Sequence, residues 1–267
     1  MTIINKIING DSLQIMKTLP ENSIDLIFTD PPYPKEYLYL YKGLADITPK
    51  ILKEHASLLL IVPQIHLEEI IRYFYNKLKY RWICCMNQEN DSHARIRIGI
   101  EVFWKPILWY SKGTCYVKGT WKRQNFIHDM IKIEKRNKQY HKWQQDESWC
   151  EYYIEKLTKE GDLILDPFFG SGTVGAVCKK LNRNFIGIEL DSNYCKIASK
   201  RLDCKIIKFS NDTKIDIPKI ENNTNICPKC GSKLFNGKHG YYCTKIGCNY
   251  SSTKEDKKIN KCLNLRK

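Results

Sequence analysis

The feature that most constrains the fold is a segment at residues 162–175 with the pattern of a strand, a glycine-rich loop and the start of a helix. Gly170, Gly172 and Gly175 have the spacing G-x-G-x-x-G, in which the absent Cβ atoms let the backbone approach a ligand closely. Glu189 follows the next apolar run, nineteen residues after Gly170, where a carboxylate can accept hydrogen bonds from both hydroxyls of a ribose. The segment therefore predicts that the chain binds a nucleoside cofactor.

Apolar runs bounded by turn residues alternate with helix-like stretches along most of the chain. The predicted strands are Ile24–Thr29, Ser57–Val62, Arg81–Met86, Val102–Tyr110, Asp162–Asp166 and Asn184–Ile188. The predicted helices are Ser12–Thr18, Leu38–Leu52, His66–Leu78, Ser148–Thr158, Thr173–Lys180 and Asn193–Leu202. Such alternation is typical of β-α-β units, so we expect an α/β fold with a mainly parallel sheet and helices on both faces. Pro106, which has no N–H to donate, interrupts one of the predicted strands.

A second loop carries residue types that suit chemistry on an amino group. The strand pattern Ile24–Thr29 runs into Asp30, Pro31, Pro32 and Tyr33. The prolines stiffen this loop and remove two backbone donors, which leaves a carboxylate, carbonyl oxygens and an aromatic face where open α/β sheets bind ligands. An exocyclic NH2 group has two hydrogens in the plane of its base, and the loop offers two acceptors and a stacking ring. The alternative interpretation is a proline-capped turn with a chance tyrosine.

The Asp-Pro-Pro-Tyr loop and the later Asp-Pro-Phe-Phe-Gly-Ser-Gly-Thr loop together resemble the amino-methyltransferases of DNA. Their order, with the catalytic loop first, is similar to the circularly permuted β class, and the resemblance covers about residues 5–113 and 141–205. It implies a Rossmann-like S-adenosylmethionine-dependent methyltransferase fold and a base flipped out of double-stranded DNA. It also implies that Asp30 and the Pro31 carbonyl accept the two amino hydrogens and that Tyr33 stacks on the base.

The same resemblance implies which residues hold S-adenosylmethionine. Glu189 would bind the ribose, Asp11 the adenine, and Phe168 with the glycine loop the methionine end. The full predicted set is Asp11, Asp166, Pro167, Phe168, Phe169, Gly170, Gly172, Thr173 and Glu189. An acidic residue before Pro-Pro-Tyr favours adenine N6 as the target by family tendency. Methylation of cytosine N4, methylation of RNA and a non-catalytic DNA-binding role are the alternatives, whereas a nicotinamide oxidoreductase gives the Asp-Pro-Pro-Tyr loop no role.

The net charge of +15 is concentrated in two segments. Residues 112–142 have a net charge of +7 and residues 227–267 have +8, so the rest of the chain is formally neutral. Such surfaces suit contact with phosphates. We assign residues 114–140 as the target-recognition insert of a catalytic domain at 1–209; a solvated basic loop is the alternative. The candidate DNA contacts lie in stretches that also contain amide and aromatic side chains, and they are Trp121, Lys122, Arg123, Lys135, Arg136 and Lys138.

Four of the twelve cysteines are grouped towards the C-terminus. Cys227, Cys230, Cys243 and Cys248 have the spacing C-x2-C-x12-C-x4-C, in which each pair can give two thiolates to one tetrahedral Zn²⁺. We predict a structural zinc ribbon at 227–250, after a linker at 210–226 and before a basic tail at 251–267; it resembles those of type IA topoisomerases. The ribbon suits nucleic-acid contact, and a purely structural or protein-docking role is the alternative.

The remaining features predict a cytoplasmic protein. The sequence has no run of about 18 apolar residues that could cross a membrane, and its start lacks the pattern of a signal peptide. The seven cysteines scattered between Cys84 and Cys204 are expected to be small buried apolar residues. A homodimer or a partner subunit is left open.

Overall fold

The computed structural model describes residues 3–88, 94–96, 99–115, 126–133, 147–210, 217, 234–236, 240–243 and 251–253. The described residues up to 217 lie in one compact unit, and those from 234 onward lie in a second. The strands are β1 (Lys6–Asn9), β2 (Ile24–Thr29), β3 (Leu52–Ile61), β4 (Lys79–Gln88), β5 (Ala94–Ile96), β6 (Ile100–Val102), β7 (Trp104–Ser111), β8 (Met130–Ile133), β9 (Leu163–Asp166), β10 (Asn184–Glu189), β11 (Ile206–Lys208), β12 (Leu234–Asn236), β13 (Gly240–Cys243) and β14 (Ser251–Thr253). The helices are α1 (Ser12–Lys17), α2 (Leu38–Ile51), α3 (Leu67–Phe74), α4 (Glu147–Leu157), α5 (Thr173–Lys180) and α6 (Ser192–Leu202).

A nine-stranded sheet with the order β11-β1-β10-β9-β2-β3-β7-β4-β8 forms the centre of the first unit. β7 is antiparallel to β3 and β4, and every other neighbouring pair in this sheet is parallel. The prediction of a mainly parallel sheet is therefore confirmed. The chain moves outward from β2 to β3 in one direction and from β9 to β10 in the other, so the strand order reverses between β2 and β9. Open α/β sheets bind ligands at such a switch point, beyond the C-terminal ends of the strands.

Side chains of the central strands alternate between two apolar layers. Leu58 and Leu60 of β3 pack in one cluster with residues of α1, α2 and α3, whereas Leu59 and Ile61 pack in another with residues of α4, α5 and α6. Successive side chains of a strand point to opposite faces, and parallel strands are usually covered on both. Helices therefore cover both faces of this sheet, as predicted.

Most predicted elements are present. β2 and α5 have the predicted bounds, and the other predicted helices agree to within about one helical turn at each end. The sequence pattern does not predict β1, β5, β6, β8 and β11, each of which has four residues or fewer. Strands this short contain too few residues to show an alternation of their own.

Pro106 lies in an interior strand, although prolines in sheets are usually confined to edges and strand ends. Its carbonyl accepts a hydrogen bond from the Val62 N–H at 3.1 Å. In an antiparallel pair the N–H and the carbonyl of one residue point to the same neighbouring strand, so the N–H that proline lacks would also face Val62. Val62 lies one residue beyond Ile61, where β3 ends. Pro106 thus stands where the pairing of β7 with β3 ends, and it does not interrupt that pairing.

The second unit contains a three-stranded antiparallel sheet with the order β12-β13-β14. Cys243 is the last residue of β13 and lies opposite Leu234. The other three cysteines of the predicted ribbon, Cys227, Cys230 and Cys248, lie outside the described residues.

Candidate active site

Two loops meet at the switch point of the sheet. β2 and β9 pair in parallel, with Ile27 opposite Leu165, so the Asp-Pro-Pro-Tyr loop and the glycine loop leave the same edge side by side. The Thr29 hydroxyl donates a hydrogen bond to Oδ1 of Asp166 at 2.8 Å, and both side chains are buried. The fold therefore brings together two motifs that lie 137 residues apart in the sequence, measured between Thr29 and Asp166.

The Asp30 carboxylate has a partner on each oxygen. The Tyr33 hydroxyl donates to Oδ1 at 2.5 Å, and the Lys105 ammonium lies 3.8 Å from Oδ2. Lys105 Nζ also lies 4.9 Å from the centroid of the Tyr33 ring, within the range of a cation–π contact. Burial raises the pKa of Tyr33 well above its usual range, and the negative charge of Asp30 raises it further. The phenol therefore stays neutral and remains a hydrogen-bond donor.

Tyr41 of α2 holds the backbone of the two prolines. Its hydroxyl lies 3.3 Å from the Pro31 carbonyl and 3.2 Å from the Pro32 carbonyl. Burial raises the pKa of Tyr41, so this hydroxyl also stays protonated and donates. Pro31 is buried and Pro32 is exposed. Because a carbonyl oxygen has two lone pairs, Pro31 can accept from Tyr41 and still accept from a substrate.

The three glycines of the predicted motif have different surroundings. Gly170 has φ +51° and no atom within 4 Å of the place where a Cβ would stand, so the space beside it is open to a ligand. Gly172 also has a positive φ, of +83°, but a Cβ there would lie 3.0 Å from Leu202. A Cβ on Gly175 would lie 2.6 Å from the ring of Phe169. Of these three glycines, only Gly170 has open space where a Cβ would stand. At Gly172 and Gly175 the absence of a Cβ makes room for neighbouring side chains.

Phe169, which we predicted among the cofactor residues, has its side chain in the core. It is 3% exposed, and its ring stacks on Phe185 with 5.6 Å between the ring centroids. The ring fills a slot that exists because Gly187 has no side chain; a Cβ there would lie 2.4 Å from the ring. Phe168 is half-buried beside the site, and Pro167 is buried. The packing of the loop on β10 therefore turns the Phe169 side chain away from the edge, and a backbone contact of Phe169 with the cofactor stays a prediction.

Asp166 is a buried link between the two loops. Its Oδ1 accepts from the Thr29 hydroxyl and, at 3.1 Å, from the Phe168 N–H. Burial raises the pKa of Asp166 to about 7; the charges of Asp30 and Glu189 act in the same direction, and the two hydrogen bonds oppose it. A direct contact of Asp166 with the cofactor stays a prediction.

Glu189, the predicted ribose acceptor, is the last residue of β10. Its Oε2 accepts from the Gly170 N–H and its Oε1 from the Asp191 N–H, both at 2.8 Å. Burial raises the pKa of Glu189, and these two N–H groups act against the rise. The side chain is half-buried, and each oxygen has a further lone pair. With the open space beside Gly170, this carboxylate makes the residues present fit a cofactor that carries a ribose.

Asp11 and Thr173 lie near the same edge. Asp11 caps α1 by accepting from the Gln14 N–H at 2.8 Å. Gly10, the residue before Asp11, donates its N–H to the Glu189 carbonyl, so the loop after β1 runs beside Glu189. Thr173 begins α5, and its hydroxyl oxygen lies 3.5 Å from a guanidinium nitrogen of Arg201.

Sequence reasoning missed Lys105 and Tyr41 as parts of the site. Lys105 is the second residue of β7, the reversed strand, whose first residues therefore lie at the edge where the parallel strands end. It stands opposite the buried Met86 of β4. The available signal was a lysine at the start of an otherwise apolar run, because lysine is seldom buried without a partner.

The other predicted contacts fall outside the part of the chain that the structure describes. These are Trp121, Lys122, Arg123, Lys135, Arg136 and Lys138. Within the described ranges, no group of three His, Cys, Asp or Glu residues is placed to hold a metal ion, and no helix there is long and apolar enough to cross a membrane. The prediction of burial holds for Cys84, Cys150, Cys178 and Cys195, whereas Cys85, Cys115 and Cys204 are half-buried.

An Asp-Pro-Pro-Tyr loop therefore lies beside a glycine loop at the switch point of an open sheet, which is the arrangement that the resemblance to amino-methyltransferases implies. The chain belongs to the DNA methylase family (N6_N4_Mtase), whose family model matches residues 24–200 and so spans both loops. Similar curated proteins include the type II methyltransferase M.HinfI of Haemophilus influenzae, 32% identical over 74% of this chain and 68% of that protein. The DNA adenine methyltransferase YhdJ of Escherichia coli K12 is 27% identical over 74% of this chain and 82% of its own length. Among solved structures, the M1.HpyAVI complex with S-adenosylmethionine has a TM-score of 0.60 and 25% identity, covering 76% of this chain and all (100%) of that one.

Proposed function

We propose that this protein transfers a methyl group from S-adenosylmethionine to the N6 amino group of adenine in double-stranded DNA, with the target base flipped out of the helix. The observation that carries the proposal is the pairing of β2 with β9, which places Asp30 beside the glycine loop. The similarity to YhdJ, named a DNA adenine methyltransferase, supports adenine as the base. The order of the loops along the chain supports membership of the permuted β class.

The site residues have complementary tasks in this reaction. The Asp30 carboxylate accepts one hydrogen of the amino group and the Pro31 carbonyl accepts the other, while the neutral Tyr33 ring stacks on the base. Holding both hydrogens directs the nitrogen lone pair at the methyl group, so the acceleration comes chiefly from positioning. When bound, S-adenosylmethionine supplies an electrophilic methyl group on a sulfonium. As the N–C bond forms, the S–C bond breaks with its electron pair going to sulfur, and the amino group loses a proton to Asp30 or to water.

The cofactor would lie along the edges of β1, β9 and β10. Glu189 would accept from the ribose hydroxyls, and Asp11 would contact the adenine ring. Gly170 provides open space for the methionine end, with Phe168 and Thr173 beside it. Gly172 shapes the loop through its positive φ rather than through open space.

The basic segment at 114–140 would contact DNA on either side of the flipped base. Its second half follows β8, which runs parallel to β4 and ends opposite Gln88 at the catalytic edge. Described structure resumes at Glu147, seven residues after the segment ends, and the Glu147 carboxylate is ion-paired with Arg201. Arg201 also donates to the Ser171 carbonyl of the glycine loop. The described residues that flank 134–146, namely Ile133 and Glu147, therefore lie near the two loops, which supports a role of the segment in target recognition.

The C-terminal cysteines Cys227, Cys230, Cys243 and Cys248 would form a structural zinc ribbon at 227–250. About 24 residues cannot build an apolar core large enough to fold alone, so the metal would supply the folding free energy. Elemental analysis of the purified protein should give one Zn²⁺ per chain, and Cys227→Ser should lose it. A protein that retains its zinc after this substitution would remove Cys227 from the ligand set. Cys262→Ser, which lies outside the spacing, is the matched control and should keep the metal.

The function is tested by methyl transfer from labelled S-adenosylmethionine to duplex DNA, single-stranded DNA and RNA, followed by nucleoside digestion. We expect N6-methyladenine in duplex DNA. N4-methylcytosine would correct the base and keep the mechanism, whereas label only in RNA would overturn the substrate class. Asp30→Ala should abolish transfer and leave cofactor binding nearly unchanged. Asp46→Ala is the control, because Asp46 is exposed and pairs with Lys77 on the surface; activity that survives in Asp30→Ala would contradict the assignment.

A further inference from the structure

Lys105 is an unusual residue to find at the catalytic edge. Its side chain is only 17% exposed, and lysine is seldom buried unless it is paired. It belongs to β7, the reversed strand of the sheet, and the side chain opposite it on β4 is the buried Met86. Its ammonium has two neighbours in the site: Asp30 Oδ2 at 3.8 Å and the face of the Tyr33 ring at 4.9 Å.

The two contacts act on the two side chains that handle the target base. Asp30 must present one oxygen to the amino group in a fixed direction, and a carboxylate can rotate about its terminal bond. The Tyr33 hydroxyl holds Oδ1 at 2.5 Å, and Lys105 faces Oδ2. With a partner on each oxygen, the plane of the carboxylate is fixed before substrate arrives. A carboxylate oxygen has two acceptor positions, so Oδ1 can accept from Tyr33 and also from an amino hydrogen.

The second contact places the Lys105 ammonium over one face of the Tyr33 ring. A cation over one face of an aromatic ring leaves only the opposite face for stacking. The target base would then form the third layer of a stack in which Lys105 is first and Tyr33 is second. The ion pair and the ring contact come from one side chain, so a single residue sets the relative positions of the Asp30 acceptor and the Tyr33 stacking surface.

We infer that Lys105 is a positioning residue for methyl transfer, which fixes the Asp30 carboxylate and covers one face of Tyr33 so that the base meets both in one orientation. This inference rests on the proposed function of the same site. A residue that positions others acts on the step after binding, because small misplacements of the reacting groups reduce the rate by up to about 100-fold. Lys105 should therefore affect kcat far more than the affinity for DNA.

The experiment compares single-turnover methyl transfer, at saturating S-adenosylmethionine and duplex DNA, for the wild type, Lys105→Met, Lys105→Gln and Lys105→Arg. We expect both neutral variants to lose about 10- to 100-fold in rate, with less than about a threefold change in the dissociation constant for DNA. Lys105→Arg should recover most of the rate, because a guanidinium can form the ion pair and stack on an aromatic ring. Thermal unfolding of each variant checks that it is folded.

Lys53→Met is the matched control. Lys53 is the second residue of β3, at the edge opposite the catalytic one, and its ammonium lies 2.7 Å from Oδ2 of Asp25. Its side chain is 30% exposed, so the same chemical change removes an ion pair at a partly buried lysine away from the site. This variant should lose some thermal stability and keep the wild-type transfer rate.

The outcomes separate this inference from the proposed function. A wild type that methylates no nucleic acid contradicts the function itself. An active wild type whose neutral Lys105 variants transfer at the same rate contradicts only the role of Lys105. Loss of DNA affinity at unchanged rate, with a salt dependence reduced by about one phosphate contact, would make Lys105 a phosphate ligand and overturn the positioning role.

Discussion

Asp166, which links the two loops through a buried hydrogen bond, should make the stability of the protein depend on pH. Its carboxylate is 5% exposed, and Oδ1 accepts hydrogen bonds from the Thr29 hydroxyl and the Phe168 N–H. Replacement by asparagine keeps an oxygen that can accept both bonds and removes the ability to ionise. Any difference in the pH dependence of folding between Asp166→Asn and the wild type therefore reports the cost of a negative charge at this position.

The magnitude follows from the pKa of Asp166, which burial raises to about 7. An aspartate in an unfolded chain has a pKa near 3.9. Below about pH 4 both states bind the proton, so burial carries no electrostatic penalty. Between about pH 4 and pH 7 the unfolded chain releases its proton first, and stability falls as the pH rises. Above pH 7 the full penalty of about 4 kcal/mol applies, because each pKa unit is equivalent to about 1.4 kcal/mol.

Urea unfolding followed by tryptophan fluorescence, from about pH 5 to pH 9, measures about two-thirds of this penalty, because the rest has already developed by pH 5. Asp166→Asn should gain stability over the wild type as the pH rises, with most of the gain between pH 5 and pH 8. A constant offset from packing of the amide would not change that slope. Asp46→Asn, the same substitution at an exposed position on the surface, is the matched control. Parallel curves for Asp166→Asn would refute the conclusion that Asp166 binds a proton near neutral pH.

Two further substitutions test the loop and its support. Gly187→Ala should destabilise the protein by about 1–3 kcal/mol, because its Cβ would lie 2.4 Å from the Phe169 ring, which is stacked on Phe185 and cannot withdraw. A thermal melt measures the loss, and Phe169→Leu in the same protein should relieve part of it. An unchanged melting temperature would contradict the packing argument. Glu189→Ala should weaken S-adenosylmethionine binding at least about tenfold, because it removes the proposed ribose acceptor and the partner of the Gly170 N–H. Calorimetry measures the affinity, and a variant that binds as tightly as the wild type would exclude Glu189 from the cofactor site.

The sequence predicts the central elements well for a physical reason. Parallel strands buried on both faces consist of nearly continuous apolar residues, and β2 is such a run that ends at an Asp-Pro-Pro turn. α5 begins where the glycine loop ends, so its start is also marked. β1 has only two apolar residues in Lys6–Asn9, and β11 has three residues in all. Their place in the sheet depends on pairing with each other and with β10, which no local pattern reveals.

The residue types of the site could be predicted, but several of their roles could not. Composition and spacing identify Asp30 and Glu189, because the chemistry needs a carboxylate at the end of a strand. They do not show that Phe169 turns into the core, since this depends on the slot at Gly187 in another strand. Lys105 joins the site only because β7 runs against its neighbours and starts at the edge where they end.

The register between β2 and β9 explains why the order of the two loops along the chain matters little for the geometry of the site. Asp30 and Phe168 each lie three residues beyond the aligned pair Ile27 and Leu165. The hydrogen bond from Thr29 to Asp166 then joins the two loops directly. Both contacts depend only on adjacent parallel strands, so the chain could reach either strand first and place the same groups together. The distance between the amino-binding carboxylate and the cofactor loop is therefore set by strand pairing and by one buried hydrogen bond. Removing that bond with Thr29→Val should slow methyl transfer without removing any group that touches the base, and an unchanged single-turnover rate would show that strand pairing alone is sufficient.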